Sequence, residues 1–354
     1  MSETLGSVQF KNITKTFGNT VALDQFNLKL EPGEFVTLLG ASGSGKTTAL
    51  NIIAGFSDAT SGEVYIDDKL MTGIASENRN VGMVFQSFAL FPHMTVLENV
   101  AFPLRMRKTP KREADARSMV ALEMVKLQEL AQRKPAELSG GQRQRVGLAR
   151  AVVFQPPVLL MDECLSALDL KLREELQGEI RRIHREVGTT VLFVTHDQTE
   201  ALTLSDKVAV LNGGRIVQID DPKTLYDRPR TRFVADFVGR SNTFDVIDIV
   251  NGRAALRDLD ALIPVEEAST CAICVRPECI QIAPEKASDS LVVFEGTLVD
   301  ETFFGSILAQ TIRLPSGREV ERRCQRSLEA DPVSVGSNIK LGFNRADVAP
   351  LLED

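Results

Sequence analysis

The chain has 354 residues, a net charge of −7, 43% hydrophobic and 25% charged residues; that length predicts two domains, and the composition is globular with core enough to need no staples. Residues 1–240 carry 30 basic and 29 acidic side chains and residues 241–354 carry 11 and 19, so neither part has the basic excess of a general nucleic-acid binder. No apolar run approaches the roughly 18 residues of a membrane-crossing helix, MSETLGSVQF lacks the regions of a secretory signal, and five cysteines read as reduced thiols of a cytosolic protein rather than a disulfide framework.

In chain order, the apolar runs at 8–13, 35–39, 81–85, 158–161, 191–195 and 208–211 are predicted strands. Several are apolar at nearly every position, as strands covered on both faces are. The patterns at 46–54, 111–127, 141–154, 170–187 and 198–204 are predicted helices; the charged second one places Ala114, Met119, Leu122 and Val125 near helical spacing. This alternation is that of an α/β domain with a mostly parallel sheet. Around 227–241 the texture changes to a short basic stretch, and β-like runs follow at 244–250, 271–275, 291–299, 307–314 and 339–343. Turn residues separate them, as in a small all-β barrel or sandwich. The domain boundary is expected near residue 240.

Residues 40–47, GASGSGKT, fit G-x-x-x-x-G-K-[ST] between a strand and a helix. Gly40, Gly43 and Gly45 let the backbone around Ser42 and Ser44 turn its N–H groups inward around phosphate oxygens. The helix start at Lys46 to Thr48 adds its dipole. Lys46 would reach the β/γ-phosphates, and the Thr47 hydroxyl would hold Mg²⁺. Kinases, GTPases and many ATPases share this loop. VLLMDE ends a buried strand in Asp162, placed to hold the metal, and Glu163, placed to polarise an attacking water. His196 follows the strand TVLFVT; it either reaches the same γ-phosphate at the carboxyl edge of the sheet or is a structural strand-end histidine. Leu138-Ser139-Gly140-Gly141-Gln142 opens a helix and forms a second glycine-rich anion site.

Together these motifs resemble the ATP-binding cassette ATPases. The first loop is similar to their Walker A, Gln86 to the Q-loop glutamine, LSGGQ to the signature, VLLMDE to Walker B, 166–169 (SALD, ending in Asp169) to the D-loop and His196 to the switch histidine. The resemblance implies a P-loop ATPase domain over 1–240 with a helical subdomain at about 87–155. It implies ATP as substrate and Mg²⁺ at Thr47, Gln86 and Asp162. Catalysis would fall to Glu163, His196 and Lys46. Phe17 matches the position that stacks on adenine; the alternative is a core phenylalanine. Cys164 stands where importer ATPases have proline, and is either a thiol that nucleotide protects or a passive small residue.

The β-region, with VRPE at 275–278, is similar to the OB-like TOBE domain of binding-protein-dependent importers, and SENRNVGMVFQSFALFPHMTVLENVAFPL resembles the polyamine, opine and phosphonate branch. That implies a homodimer with ATP between Walker A of one copy and the signature of the other. It also implies two integral-membrane permease subunits and an external solute-binding protein, with this chain peripheral on the cytoplasmic face of the inner membrane and no nucleic acid among its partners. Phe88, Leu90, Phe91 and His93 form either a groove for a permease helix or ordinary core. The alternatives are an ATP-switched nucleic-acid protein, the motor of a different importer branch (sugar, iron or phosphonate) and an exporter motor. Cys271, Cys274 and Cys279 lack a fourth ligand at zinc-like spacing.

Overall fold

The computed structural model describes residues 6–87, 89–166, 169–282, 290–326 and 333–353. The first of two compact units runs from Met1 to Pro222 and the second from Lys223 to Asp354. The first begins with β1 (Val8–Phe17), β2 (Thr20–Leu30), β3 (Phe35–Gly40), α1 (Lys46–Ala54), β4 (Ser61–Ile66), β5 (Lys69–Leu70) and β6 (Val81–Val84). Three helices follow: α2 (Val96–Met106), α3 (Lys111–Met124) and α4 (Gly140–Val152). The unit closes with β7 (Val158–Asp162), α5 (Leu170–Val187), β8 (Thr190–Thr195), α6 (Gln198–Leu204), β9 (Lys207–Asn212) and β10 (Arg215–Asp220).

The apolar runs form a six-stranded sheet in the order β10-β9-β3-β8-β7-β6, parallel except for the edge strand β10. Leu39 pairs with Thr195 and Asp162 with Val194. The carboxyl ends of β3, β8 and β7 therefore emerge side by side, where sites of parallel sheets gather. One face carries α1 over Val36, Leu38, Leu160, Leu192 and Val194. The other packs Phe35, Leu159, Met161 and Phe193 into a core shared with α4, α5 and the buried sides of α2 and α3.

The expected single strand at 8–13 is instead part of a separate antiparallel sheet, β2-β1-β4-β5. Register shifts between Phe10 and Thr16, with Asn12 at φ 50° and Gln25 at φ 45°, interrupt the alternation that would announce it. The helix α2 lies outside the predicted helices. Pro103 sits inside it and reads as a breaker, yet a reciprocal cap at Thr95 and Glu98 starts it firmly. The helix expected over 111–127 ends at Met124, and Lys126 turns to φ 58°.

The second unit begins earlier than the boundary expected near residue 240. It contains most of α7 (Pro222–Asp227), then α8 (Arg232–Phe237), β11 (Asn242–Val250), β12 (Arg253–Leu256), β13 (Leu262–Pro264) and β14 (Ala272–Val275). β15 (Gln281–Ile282), β16 (Leu291–Phe304), β17 (Ile307–Arg313), β18 (Glu319–Gln325), β19 (Asn338–Asn344) and β20 (Val348–Leu351) complete it. The buried Arg276 guanidinium explains the shift: it donates to the carbonyls of Tyr226, Ala235 and Arg240, tying the helical stretch to the strands. Two five-stranded antiparallel sheets, β13-β12-β11-β14-β20 and β15-β19-β16-β17-β18, enclose a core of Phe244, Ile273, Phe294, Leu298, Leu341 and Phe343. Cys274 is buried in β14, and among the described residues no cluster of three or more His, Cys, Asp or Glu could hold a metal. No helix among them is long and apolar enough to cross a membrane.

Candidate functional site

β3 runs straight into the phosphate loop, and the loop into α1. Gly45, at φ 103°, caps α1, and a Cβ there would collide with the Ala22 carbonyl and Leu23 of β2, so only glycine fits. Gly43, at φ 82°, has open space on its Cβ side. The first turn of α1 carries no acid, which leaves its N-terminal dipole available to an anion. Lys46 is only 5% exposed and folds back to donate to the carbonyls of Gly40 (2.8 Å) and Ala41 (2.9 Å). Burial lowers its pKa, while Glu163 and Asp162 act to raise it. Ser44 Oγ is buried with no hydrogen-bond partner among the described residues. An orphaned hydroxyl, a buried ammonium and a glycine-lined backbone fit a phosphate chain. Ser42 and Thr47 are exposed and Thr48 is half-buried.

β7 delivers Asp162, and the chain then turns sharply. Glu163 has φ 39° and donates its N–H to Val194 O at 2.9 Å on β8. That bend aims Glu163 Oε1 at His196 Nδ1, 3.2 Å away. His196 is exposed at the end of β8, which favours the phosphate-reaching reading over a buried structural histidine. Burial, then the neighbouring Glu163, raise the pKa of Asp162, and Lys46 opposes them. Thr47, Gln86 and Asp162 present hydroxyl, amide and carboxylate oxygens, a donor set suited to a hard cation such as Mg²⁺. Gln86 lies exposed in the turn after β6, the strand that pairs with β7.

Phe17 is 56% exposed at the end of β1, with Lys15 Nζ 4.9 Å from its ring centre. It is not core. It pairs with Thr20 of β2, the strand whose Ala22 borders Gly45.

Ser139 caps α4: its Oγ accepts from Gln142 N (3.3 Å), and Gln142 Oε1 accepts from Ser139 N (2.9 Å). The side chain of Gln142 is thus spent on the cap, and Ser139 is exposed with open space beside Gly140. A Cβ on Gly141 would press on Leu172. Within its own chain this turn borders a cleft of about 500 Å³ lined by Gln128, Arg145 and Leu172, and not the phosphate loop. Asp169 caps α5 through Leu172 N (3.1 Å); Ala167 and Leu168 of the same motif lie outside the described residues.

Phe88 also lies outside the described residues. Phe91 joins Met83, Phe85, Phe102, Arg150 and Phe154 around an open cleft of about 360 Å³, whereas Leu90 packs partly buried against the core of the first unit. His93 is exposed. Two residues that escaped sequence reasoning shape this loop. Buried Asn99 donates to the carbonyls of Phe91, Met94 and Thr95 and accepts from Phe91 N. Arg150 donates to Ala89 O at 2.8 Å. An asparagine mid-helix and an arginine near a helix end carry no motif of their own. Cys164 is fully buried and burial raises its thiol pKa, which fits the passive reading.

Comparison with known proteins bears on this geometry. Residues 23–166 match the ABC transporter family and residues 273–351 the TOBE domain. The chain is 45% identical over 317 residues to the spermidine/putrescine import ATP-binding protein PotA of Haemophilus ducreyi, covering 87% of this chain and 85% of that one. It is 44% identical over 324 residues to the protein of the same name from Pseudomonas aeruginosa, covering 89% of each. Among solved structures, the dimeric bacterial ABC transporter cassette MJ0796 matches with a TM-score of 0.55 and 37% identity, over 61% of this chain and 98% of that one. A second structure of that cassette, a post-hydrolysis state bound to ADP and Pi, matches equally. The chain belongs to the ABC transporter family and carries a TOBE domain in its second unit.

Proposed function

We propose that the chain is the ATP-hydrolysing subunit of a polyamine importer, working as a head-to-tail homodimer on two membrane permease subunits fed by an external solute-binding protein. The observation that carries this reading is the pairing of Glu163 and His196, 3.2 Å apart, on the sheet edge that also bears the Lys46 loop. The names of the PotA relatives support the solute class, and the dimeric cassette structure supports the assembly.

The phosphate chain of ATP lies in the loop from Gly40 to Thr48, with Lys46 turned from the Gly40 and Ala41 carbonyls onto the β/γ-oxygens. Phe17 stacks on adenine. Glu163 takes a proton from a water whose oxygen attacks the γ-phosphorus; the bond to the β-phosphate oxygen breaks, and ADP and phosphate leave. His196 holds Glu163 and the γ-phosphate in register. Thr47, Gln86 and Asp162 are the residues that would hold Mg²⁺, and the chemistry such an ion supplies is neutralisation of phosphate charge. Ser139 and the first N–H groups of α4 at Gly140 and Gly141 cover the γ-phosphate held by the other copy, and Asp169 lies at the same junction. The cleft beside Phe91 takes a permease segment. The subunit is peripheral, on the cytoplasmic face of the inner membrane, where ATP is available to an import motor.

With its permeases and binding protein in proteoliposomes, the chain should drive ATP-dependent uptake of labelled spermidine or putrescine, and Glu163→Gln should stop it. ATP hydrolysis without uptake of either polyamine would reject the solute; absence of hydrolysis would reject the motor.

A further inference from the structure

His196 touches Glu163 through its ring, and its chain neighbours Thr195 and Asp197 are held by a largely part-buried network that the hydrolytic reading leaves unused. Thr195 Oγ1 donates to Glu200 Oε2 at 2.5 Å and accepts from Asp197 N at 3.0 Å, folding 195–197 into a tight turn around His196. Asp197 Oδ1 caps α6 by accepting from Thr199 N (2.8 Å) and Glu200 N (3.1 Å). Its other oxygen, Oδ2, accepts from Arg173 Nη1 at 2.7 Å. Glu200 is fully buried, and its Oε1 faces Arg173 Nε at 3.8 Å. One guanidinium thus serves two carboxylates that flank the histidine turn.

Arg173 comes from a different element. It lies in the first turns of α5, four residues after the cap Asp169. The turn that carries His196 is therefore tied to α5 by a charge-assisted, part-buried bond, the kind that holds a geometry firmly. The exposed ring of His196 has Glu163 as its ionic contact, so its aim depends on the backbone beneath it. A misplacement of about 1 Å at such a group costs about 100-fold in rate.

We propose that Arg173 is a positioning residue for hydrolysis: by pinning Asp197 it sets the His196 ring against Glu163 and makes that setting follow the position of α5. The proposal rests on the reading of the chain as an ATPase. In this role Arg173 acts through the turn at 195–197, by its bond to Asp197.

The test compares the full-length wild type with Arg173→Met, Arg173→Lys and Asp197→Asn, the last keeping the cap oxygen while removing the charge. The readouts are kcat and KM for ATP, nucleotide Kd by equilibrium binding, and melting temperature. Arg173→Met and Asp197→Asn should each lower kcat by about tenfold or more, with KM and Kd within about twofold of wild type. Arg173→Lys should recover most of the rate, since an ammonium still reaches Asp197. In a His196→Ala background, Arg173→Met should lower the residual rate, followed by radiolabelled phosphate release, no further. If Arg173→Met does not fold, Asp197→Asn and Arg173→Lys carry the comparison. Wild-type kcat in Asp197→Asn, or a full second loss on the His196→Ala background, would overturn the proposal. A wild-type chain that releases no phosphate fails the ATPase reading instead.

Discussion

Glu163 is held in the left-handed region by its own N–H bond to Val194 O, and that bend aims its carboxylate at His196. A glutamine there keeps the shape and the hydrogen bonding but is a poor base. Glu163→Gln should reduce phosphate release by about 10²–10⁴-fold, the range of a lost general base, while ATP binding persists; near-normal hydrolysis would remove Glu163 from that role. Lys46 presents a different loss. Its ammonium is buried among backbone carbonyls and lies within electrostatic reach of Asp162 and Glu163. Lys46→Ala removes the one cation of the loop and should weaken ATP binding itself, by about tenfold or more for a charge-assisted contact. Unchanged affinity in a fluorescent-nucleotide titration would count against the loop as the phosphate site.

Among elements, α5 does two jobs: its start carries Asp169 and Arg173, and its end docks on the central sheet. There His184 Nε2 lies 3.1 Å from Gly33 O, and its ring meets Phe35 edge-on at 5.3 Å. Burial lowers the pKa of His184, with the nearby Asp206 and the backbone bonds opposing. The unfolded chain therefore takes up this proton first as pH falls through about 6.5, so stability is full above that value and declines below it until the folded-state pKa is passed. Melting temperature measured between pH 7 and 5 should fall with acid, and His184→Gln should flatten that slope. An unchanged slope would mean that other groups set the acid limit. The α4 helix shows the complementary design: Ser139 and Gln142 close a reciprocal cap with no acid in the first turn, so its start stays attractive to phosphate.

At the scale of the whole molecule, the signature turn borders Leu172 and Gln128 of its own chain, whereas the phosphate loop borders β2. In the proposed head-to-tail assembly a second copy would supply the cover for the γ-phosphate. Mixed dimers test this. With Lys46→Ala in one subunit and Ser139→Arg in the other, sites formed in trans leave one site with both motifs intact and one doubly damaged. Sites formed in cis leave both damaged. Purified mixed dimers should bind one ATP per dimer with wild-type affinity, and two equally impaired sites would overturn the head-to-tail arrangement.

The phosphate loop, the Asp162–Glu163 strand end and the Ser139–Gln142 helix start are legible in sequence because each is a contiguous strand, turn or helix start whose chemistry sits in consecutive residues. The apolar strands 35–39, 158–161 and 191–195 are legible for a related reason: burial on both faces removes charged residues from them and leaves threonine as their only polar type. The sheet β2-β1-β4-β5 is not, since bulges break the period of two in the β1–β2 hairpin and the β1–β4 pairing joins segments some fifty residues apart. Nor is α2, where a local cap and long-range packing of Val96, Val100 and Leu104 outweigh Pro103. The division at Pro222 depends on Arg276 reaching back to Tyr226, and the exposure of Phe17 on which face of a hairpin it takes. Arg173 and Asp197 are 24 residues apart and unremarkable in sequence; only folding brings them to 2.7 Å. Sequence by itself determined the groups that can touch phosphate, because backbone turns and helix starts are local. Tertiary structure alone decided how those groups are aimed, because orientation comes from buried contacts between distant segments.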